Sequence, residues 1–399
     1  MKRVINDDEE VHAKQAKLSS EHVAEHYNKI PEVGLKIRSE SRIYYLRNFN
    51  NWIKSVLLNE CIQSLQNRQN IVALDLGCGK GGDLLKWSNG RIAHLVAVDL
   101  AETSILQCRD RYKEMQQRRH RHRFTADIFS LDCSRNSIHS YINEHISFSI
   151  SSCQFAIHYS FETLKQAECM IANAVSHLQP GCLFVCTTVD SVELVARLLS
   201  TKGFSFGNSI YHVEFPSSDK KHFPIFGCQY KFSLDGVVDL PEYLVHLPVL
   251  ESLLARHRVR LVSKRSFSQI FNEHAKTSAR LLRIIKALEV YPPHQGNSLH
   301  FGEVDYGAAR DFIRNEMSTN PSVYGKKIQV GTIAQSEWDM ISLYTACVFE
   351  KVHNHEEFNY NTDLNTYDPD KLIAEANERI KSSKELPPVF QAFCEERTR

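Results

Sequence analysis

Apolar residues recur at helical spacing from Val23 to Leu65, and in FNNWIKSVLLNE the side chains of Trp52, Ile53, Val56 and Leu57 fall on one face. The period then changes. IVALDL (71–76) is a short apolar run of buried-strand type that ends in glycines, after which LLKW restarts a helical pattern. HLVAVDL (94–100) is a second such run, followed by a helix from about Glu102 to Met115. SCQFAI (152–157) and CLFVCTTV (182–189) repeat the theme, separated by a helix through Met170 and Ala174. Strands alternating with helices predict an α/β fold, a mostly parallel sheet with helices on both faces.

From about residue 205 the pattern shortens. IYHVEF and FGCQYKFSLDGVV alternate in character with turn residues between them, which predicts an antiparallel insertion at about 205–245. HRVRLVS (257–263) and SLYTACVFE (342–350) are expected to rejoin the sheet. Past Lys351 the chain is polar, with one amphipathic stretch in which Leu372, Ala376 and Ile380 share a face. The expected organisation is a flexible N-terminal segment (1–21), one domain over 22–351 and a polar C-terminal tail (352–399).

Composition narrows the class without choosing a function. With 42% hydrophobic and 24% charged residues the chain is globular, which excludes a disordered or fibrous protein. Lys plus Arg is 48 and Asp plus Glu is 47, so any anion-binding surface must be local. Eleven scattered cysteines with no C-x-x-C pair point to reduced thiols in an intracellular protein and to neither a disulfide frame nor a zinc site. MKRVINDDEE lacks the apolar core of a signal peptide, and no apolar run approaches the roughly 20 residues that span a bilayer, so no membrane is expected.

LDLGCGKGGDLLKW (74–87) is the most informative stretch. A buried strand meets a helix start through Gly77, Gly79, Gly81 and Gly82, where the backbone can turn sharply and approach a ligand. Asp99 stands at the end of the next strand, where a carboxylate can accept both hydroxyls of a ribose. Strand, loop and acid together describe a nucleoside-binding crevice. Gly77, Gly79 and Gly82 also satisfy G-x-G-x-x-G, so NAD and a dehydrogenase stay open at this point. Asp75, placed to meet a cationic ligand end, and Lys80, in the loop itself, favour S-adenosylmethionine.

Other patterns carry less. GFSFG (203–207) spells the hydrolase G-x-S-x-G, but a helical run precedes it and a strand-like run follows, the inverse of a nucleophile elbow. RRHRHR (118–123) could meet RNA phosphates, or be a solvated face. His353 and His355 lack a third ligand at metal-binding spacing, so no metal is expected. His158 and Tyr159, directly after the SCQFAI strand, put two polar aromatics at the mouth of the crevice.

Longer motifs then converge. EVGLKIRSESRIYYLRNFNNWIK (32–54), LDLGCGKGGDLLKW, SCQFAIHYSFE (152–162), FGCQYKF (226–232), GVVDLPEYL (236–244) and GTIAQSEW (331–338) together resemble the eukaryotic mRNA cap guanine-N7 methyltransferases, over about His26 to Lys351. The resemblance implies a class I methyltransferase fold, S-adenosylmethionine as donor and the guanine of 5'-capped mRNA as acceptor. On the donor side it implies Lys54 near the methionine portion, Gly77 in the loop and Asp99 on the ribose. Asp132, which the sequence alone does not separate from Asp127, would flank the adenine with Gln154 and Tyr159. On the cap side it implies Asn50 and Asn51, then Lys80, Lys86 and Arg111 facing the cap and its phosphates, with His158, Glu242 and Tyr344 around the guanine.

A nuclear location and a partnership with the RNA polymerase II capping machinery or an activating subunit are further implications. The long basic N-terminal extension of many relatives has no counterpart before the core here, where only MKR and scattered lysines stand, so import and recruitment are left open. An inactive RNA-binding relative is the remaining alternative; the intact Asp99, Gln154, His158, Tyr159 and Glu242 speak against it. The chemistry needs no general base, because guanine N7 has a lone pair and no proton to lose.

Overall fold

The computed structural model describes residues 21–29, 39–118, 122–216, 219–321, 327–382 and 384–394. The segment 1–20 and residues 119–121 of the basic run lie outside the described residues. Helix α1 (residues 21–29) is separate from α2 (Tyr44–Ser64), with turns at 40–43 before α2, so the apolar periodicity read as continuous from Val23 is not one helix. β1 (Val72–Leu76), α3 (Leu84–Asn89), β2 (His94–Asp99) and α4 (Glu102–Gln116) follow at the expected places. The next strand, β3 (Thr125–Ser130), was not legible: it is an edge strand in which only Ile128 is buried, so it has no apolar run.

β4 (Phe148–Gln154), α5 (Leu164–Val175), β5 (Leu178–Val189) and α6 (Ser191–Leu199) complete the alternation. α6 starts where Asp190 accepts from the amides of Val192 and Glu193, an N-cap worth about 1 kcal/mol. β6 (Ser205–Gly207), β7 (Tyr211–Glu214), β8 (Gln229–Leu234) and β9 (Val238–Tyr243) form the expected antiparallel insertion as a separate four-stranded sheet. Ser205 of the hydrolase-like pentapeptide is therefore on a strand that follows a helix, with no elbow.

Helix α7 (Leu247–Ala255) leads to β10 (Val259–Ser266), which is followed by α8 (Phe267–His274) and α9 (Ala279–Ile285). β11 (Glu289–Tyr291), α10 (Gly307–Thr319), β12 (Val330–Thr332) and α11 (Gln335–Ile341) precede the last sheet strand, β13 (Tyr344–Lys351). The main sheet runs β10-β13-β5-β4-β1-β2-β3; β1 to β5 run parallel to one another, and β13 inserts antiparallel between β5 and β10. This is the mostly parallel sheet with covering helices that the alternating pattern predicts.

Two large apolar clusters fill the two sides of this sheet. Trp52, Ile53 and Leu57 of α2 belong to the first, which seats that helix and the polar side chains on its other face. Past β13, helix α12 (Asp370–Lys381) packs on α6 and buries Leu372 and Ala376, while Ile380 is exposed. Phe390 then pairs with Gly331, so residues 370–390 brace the domain.

The N-terminus of α2 has no cap from its own sequence neighbours. Glu337 of α11 supplies one instead: its Oε1 accepts from Leu46 N at 2.8 Å. The carboxyl is fully buried, and burial pushes its pKa from 4.5 up to about 8. A raised acid favours folding below its unfolded pKa and loses that contribution as pH rises through the folded value. The protein should therefore lose on the order of 4 kcal/mol of stability between about pH 5 and about pH 9 from this group. Glu337→Gln, which keeps an acceptor for Leu46, should flatten the dependence; parallel melting curves for both proteins across that range would refute it.

Candidate active site

The carboxyl ends of β1, β2 and β4 open onto one crevice, and local backbone chemistry shapes each. After β1 the chain enters Gly77 at φ +70°, where a Cβ would meet the Ala156 Cβ at 2.6 Å. Gly79 has φ +52° and open space where a Cβ would stand. Its amide donates to Asp99 Oδ2 at 2.8 Å, and the Ala101 amide donates to Oδ1 at 2.8 Å. Asp99 thus ties the glycine loop to the end of β2. Burial raises its carboxyl pKa, opposed by the amides of Ala101 and Gly79.

β4 ends at Gln154 because Phe155 takes φ +58°, a left-handed conformation that is strained for an aromatic residue. Thr187 holds it there, its carbonyl and hydroxyl accepting from Phe155 N at 3.0 and 3.1 Å. The strand expected to reach Ile157 gives way to a 3₁₀ turn, Ile157–Glu162, which carries His158 and Tyr159 into the crevice.

Two cavities adjoin there. The first, of about 260 Å³, is lined by Gly77, Gly79, Asp99, Asp132, Gln154 and apolar side chains such as Leu131 and Met170. The second, of about 500 Å³, is lined by Asn50, Asn51, Lys54, Arg111, His158, Glu242 and Tyr344, among others. Tyr27, Phe155 and Tyr159 border both. The sequence motifs thus converge from α2, the glycine loop, α4, β4 and the insertion onto one double chamber.

The two acids left open stand in different places. Asp132 lines the first cavity and accepts from Ser134 N at 3.0 Å and Ser134 Oγ at 2.6 Å. Asp127 sits on edge strand β3, outside both chambers, 3.3 Å from His94. Gln154 is locked by neighbours, donating to Ser152 Oγ and accepting from Thr187 Oγ1, both at 3.0 Å.

Three lysines depart from expectation. Lys54, expected at the methionine end of the donor, lines the second cavity. Its ammonium lies 2.9 Å from Asp83, and the Lys86 ammonium lies 2.8 Å from the same carboxylate. Burial pushes the Asp83 carboxyl up, but the two ammonium groups outweigh it and hold it well below the usual carboxylate range. Lys86, expected to face the cap phosphates, is turned inward and buried, donating to Asn51 Oδ1 and to Gly82 O. Pairing with Asp83 is what makes burying an ammonium tolerable. Lys80 lines neither cavity.

Asp75, expected at a cationic ligand end, is also turned away from both chambers. It is buried and accepts from Trp87 Nε1 at 3.0 Å, and burial raises its pKa to about 7.

The second cavity holds a polar cluster. Glu242 on β9 lies opposite Tyr230 on β8, whose hydroxyl donates to Glu242 Oε2 at 2.9 Å. His158 Nε2 stands 3.4 Å from Glu242 Oε1. Only 4% of His158 is exposed, yet among the described residues neither ring nitrogen has a hydrogen-bond partner. A buried polar group left unanswered costs about 1–3 kcal/mol, so this corner suits a polar ligand such as a purine edge. Tyr344 meets Phe155 edge-on, ring centroids 4.8 Å apart, giving the chamber an aromatic side.

The first cavity fits S-adenosylmethionine. Gly77 and Gly79 leave backbone bare on its floor, Asp99 offers a carboxylate and the walls are apolar. Tyr27, Val23 and Ala24 also line it and carried no sequence signal, since nothing local says where a short helix docks. Among the described residues no group of three or more His, Cys, Asp and Glu could hold a metal, and no helix is long and apolar enough to cross a membrane.

Comparison with known proteins gives the family. The mRNA (guanine-N(7))-methyltransferase domain model matches residues 10–352. The mRNA cap guanine-N(7) methyltransferase of Drosophila melanogaster is 37% identical over 344 residues, covering 83% of this chain and 77% of the relative. That of Caenorhabditis elegans is 33% identical over 346 residues, covering 85% and 89%. From the length of these matches and the crevice they enclose, the chain belongs to the mRNA (guanine-N(7))-methyltransferase family.

Proposed function

We propose that the two cavities divide the substrates of this enzyme, S-adenosylmethionine in the apolar chamber and the capped guanine in the polar one. The chain is an mRNA cap guanine-N7 methyltransferase that uses S-adenosylmethionine. When bound, that cofactor supplies an electrophilic methyl group on a sulfonium. The observation that supports the division is the shared wall of Tyr27, Phe155 and Tyr159, across which a donor and an acceptor would lie side by side.

Asp99 accepts the ribose hydroxyls, and Asp132, Gln154 and Tyr159 enclose the adenine end. Asn50, Asn51, Lys54 and Arg111 answer the cap and its phosphates, while His158, Glu242 and Tyr344 surround the guanine. Lys86 acts indirectly, holding Asn51 in place. No residue need remove a proton, because N7 attacks through its lone pair. Positioning does most of the work, and well-oriented reactants gain effective molarities of about 10⁵–10⁸ M. The methylated guanine carries a positive charge that the substrate lacked, and the buried Glu242 carboxylate strengthens its interaction as that charge develops. Catalysis belongs to residues 22–351 on this view. The capping machinery of RNA polymerase II or an activating subunit would deliver the RNA in the nucleus, with support from the family membership alone.

The test is methyl transfer from labelled donor to GpppG, with a 7-deazaguanosine cap as control. Transfer to GpppG alone is expected. Transfer to both acceptors would place the chemistry at another atom.

A further inference from the structure

Helix α1 buries Val23 but none of its residues belongs to the apolar clusters of the core. It is nevertheless fastened to the site at three points. His26 Nε2 meets Val237 O of the insertion at 3.3 Å. Asn28 Oδ1 accepts from Thr103 N, at the start of α4, at 3.0 Å. Between them the Tyr27 hydroxyl meets the Tyr159 hydroxyl at 3.0 Å. Tyr27 borders both chambers, whereas Val23 and Ala24 border only the first.

From this we infer that Tyr27 is a binding residue for both substrates, a contact surface that donor and cap share across the wall it builds with Tyr159. The inference rests on the assignment of the two cavities given above. Three features support it. The ring is polar at one end and apolar along its faces, which suits a boundary between an apolar and a polar chamber. Burial pushes the pKa of the Tyr27 phenol up, and that of Tyr159 likewise, so both hydroxyls stay protonated and one must donate to the other. Finally, the ties of α1 to the insertion and to α4 fix the ring relative to Asp99 on one side and Glu242 on the other, so the position is set by the site and not by core packing.

The test measures binding, not turnover. Dissociation constants for S-adenosylhomocysteine and for the cap dinucleotide GpppG are determined by calorimetry on the full chain and on Tyr27→Ala and Tyr27→Phe. Loss of an aromatic contact surface predicts that Tyr27→Ala weakens both ligands about fivefold or more. Tyr27→Phe, which keeps the ring and loses the hydroxyl pair, should lie between it and the parent. Because α1 contributes nothing to the core clusters, the ligand-free melting temperature should stay within a few degrees of the parent's. Unchanged affinities, or the weakening of one ligand only, would overturn the inference. Asp99→Ala and Glu242→Ala run in parallel: if the first weakens the donor and the second the cap, the cavity assignment stands whatever Tyr27 does. If Asp99→Ala leaves donor binding intact, the assignment itself has failed.

Discussion

Asp99→Ala should lower the affinity for S-adenosylhomocysteine by about 10²–10⁴-fold and leave cap binding nearly unchanged. Two charged hydrogen bonds to ribose hydroxyls are lost, each worth about 1.5–3 kcal/mol, and each 1.4 kcal/mol is a factor of ten. A second loss adds to the first. The amides of Gly79 and Ala101 both donate to this carboxylate at 2.8 Å, so its removal loosens Gly79 from the end of β2, while Gly77 N and Cys78 N still donate to Val98 O. Asp99→Asn separates the two effects, since the amide keeps one acceptor for the loop but forfeits the charge. Calorimetry with S-adenosylhomocysteine reads the affinity, and a melting curve without ligand reports the loop. Parent-like donor affinity in Asp99→Ala would move the ribose elsewhere.

Glu242→Ala is expected to reduce kcat/KM for capped RNA by about 10²–10³-fold while leaving S-adenosylhomocysteine affinity unchanged. The range is that of removing one preorganised electrostatic partner of a transition state. Glu242 Oε2 is committed to the Tyr230 hydroxyl, while Oε1 stands 3.4 Å from His158 Nε2 without a hydrogen bond to it. Alanine therefore strips a partner from a buried phenol as well as from the cap. Glu242→Gln keeps an acceptor for Tyr230 and removes only the charge, so it isolates the electrostatic contribution. If Glu242→Gln matches the parent in kcat while Glu242→Ala does not, charge development at the guanine is not what the carboxylate stabilises. Single-turnover methyl transfer measures both.

Much of the architecture was legible because its signals are local. The strands β1, β2, β4 and β5 are buried on both faces and so read as short apolar runs, with helical spacing between them. β3 escaped because an edge strand needs no continuous apolar face. The apolar pattern overruns β4, continuing through Phe155 and Ile157, and only the left-handed backbone at Phe155 ends the strand. Pattern cannot show that turn, yet it aims His158 and Tyr159.

The candidate site divides in the same way. Gly77 and Asp99 were readable because conformational freedom and a strand-end carboxylate are properties of residue type and position. The lysines were not: Lys86 looks from sequence like any exposed cation, and its inward turn follows from Asp83, three residues earlier, lying buried between two ammonium groups. Asp75 departs from expectation for a related reason, since the indole that occupies it comes from Trp87, on the helix after the glycine loop.

By itself, then, the order of residues determined the alternating strands and helices, the bare-backbone loop with its distant acid, and the family. Those follow from short-range sterics and from which side chains avoid water. Tertiary structure alone decided that α1 closes a chamber, that Tyr27 stands between two cavities, and which charged groups face ligand and which face each other. Contacts between segments far apart in the chain depend on how whole elements pack, and no local period records them.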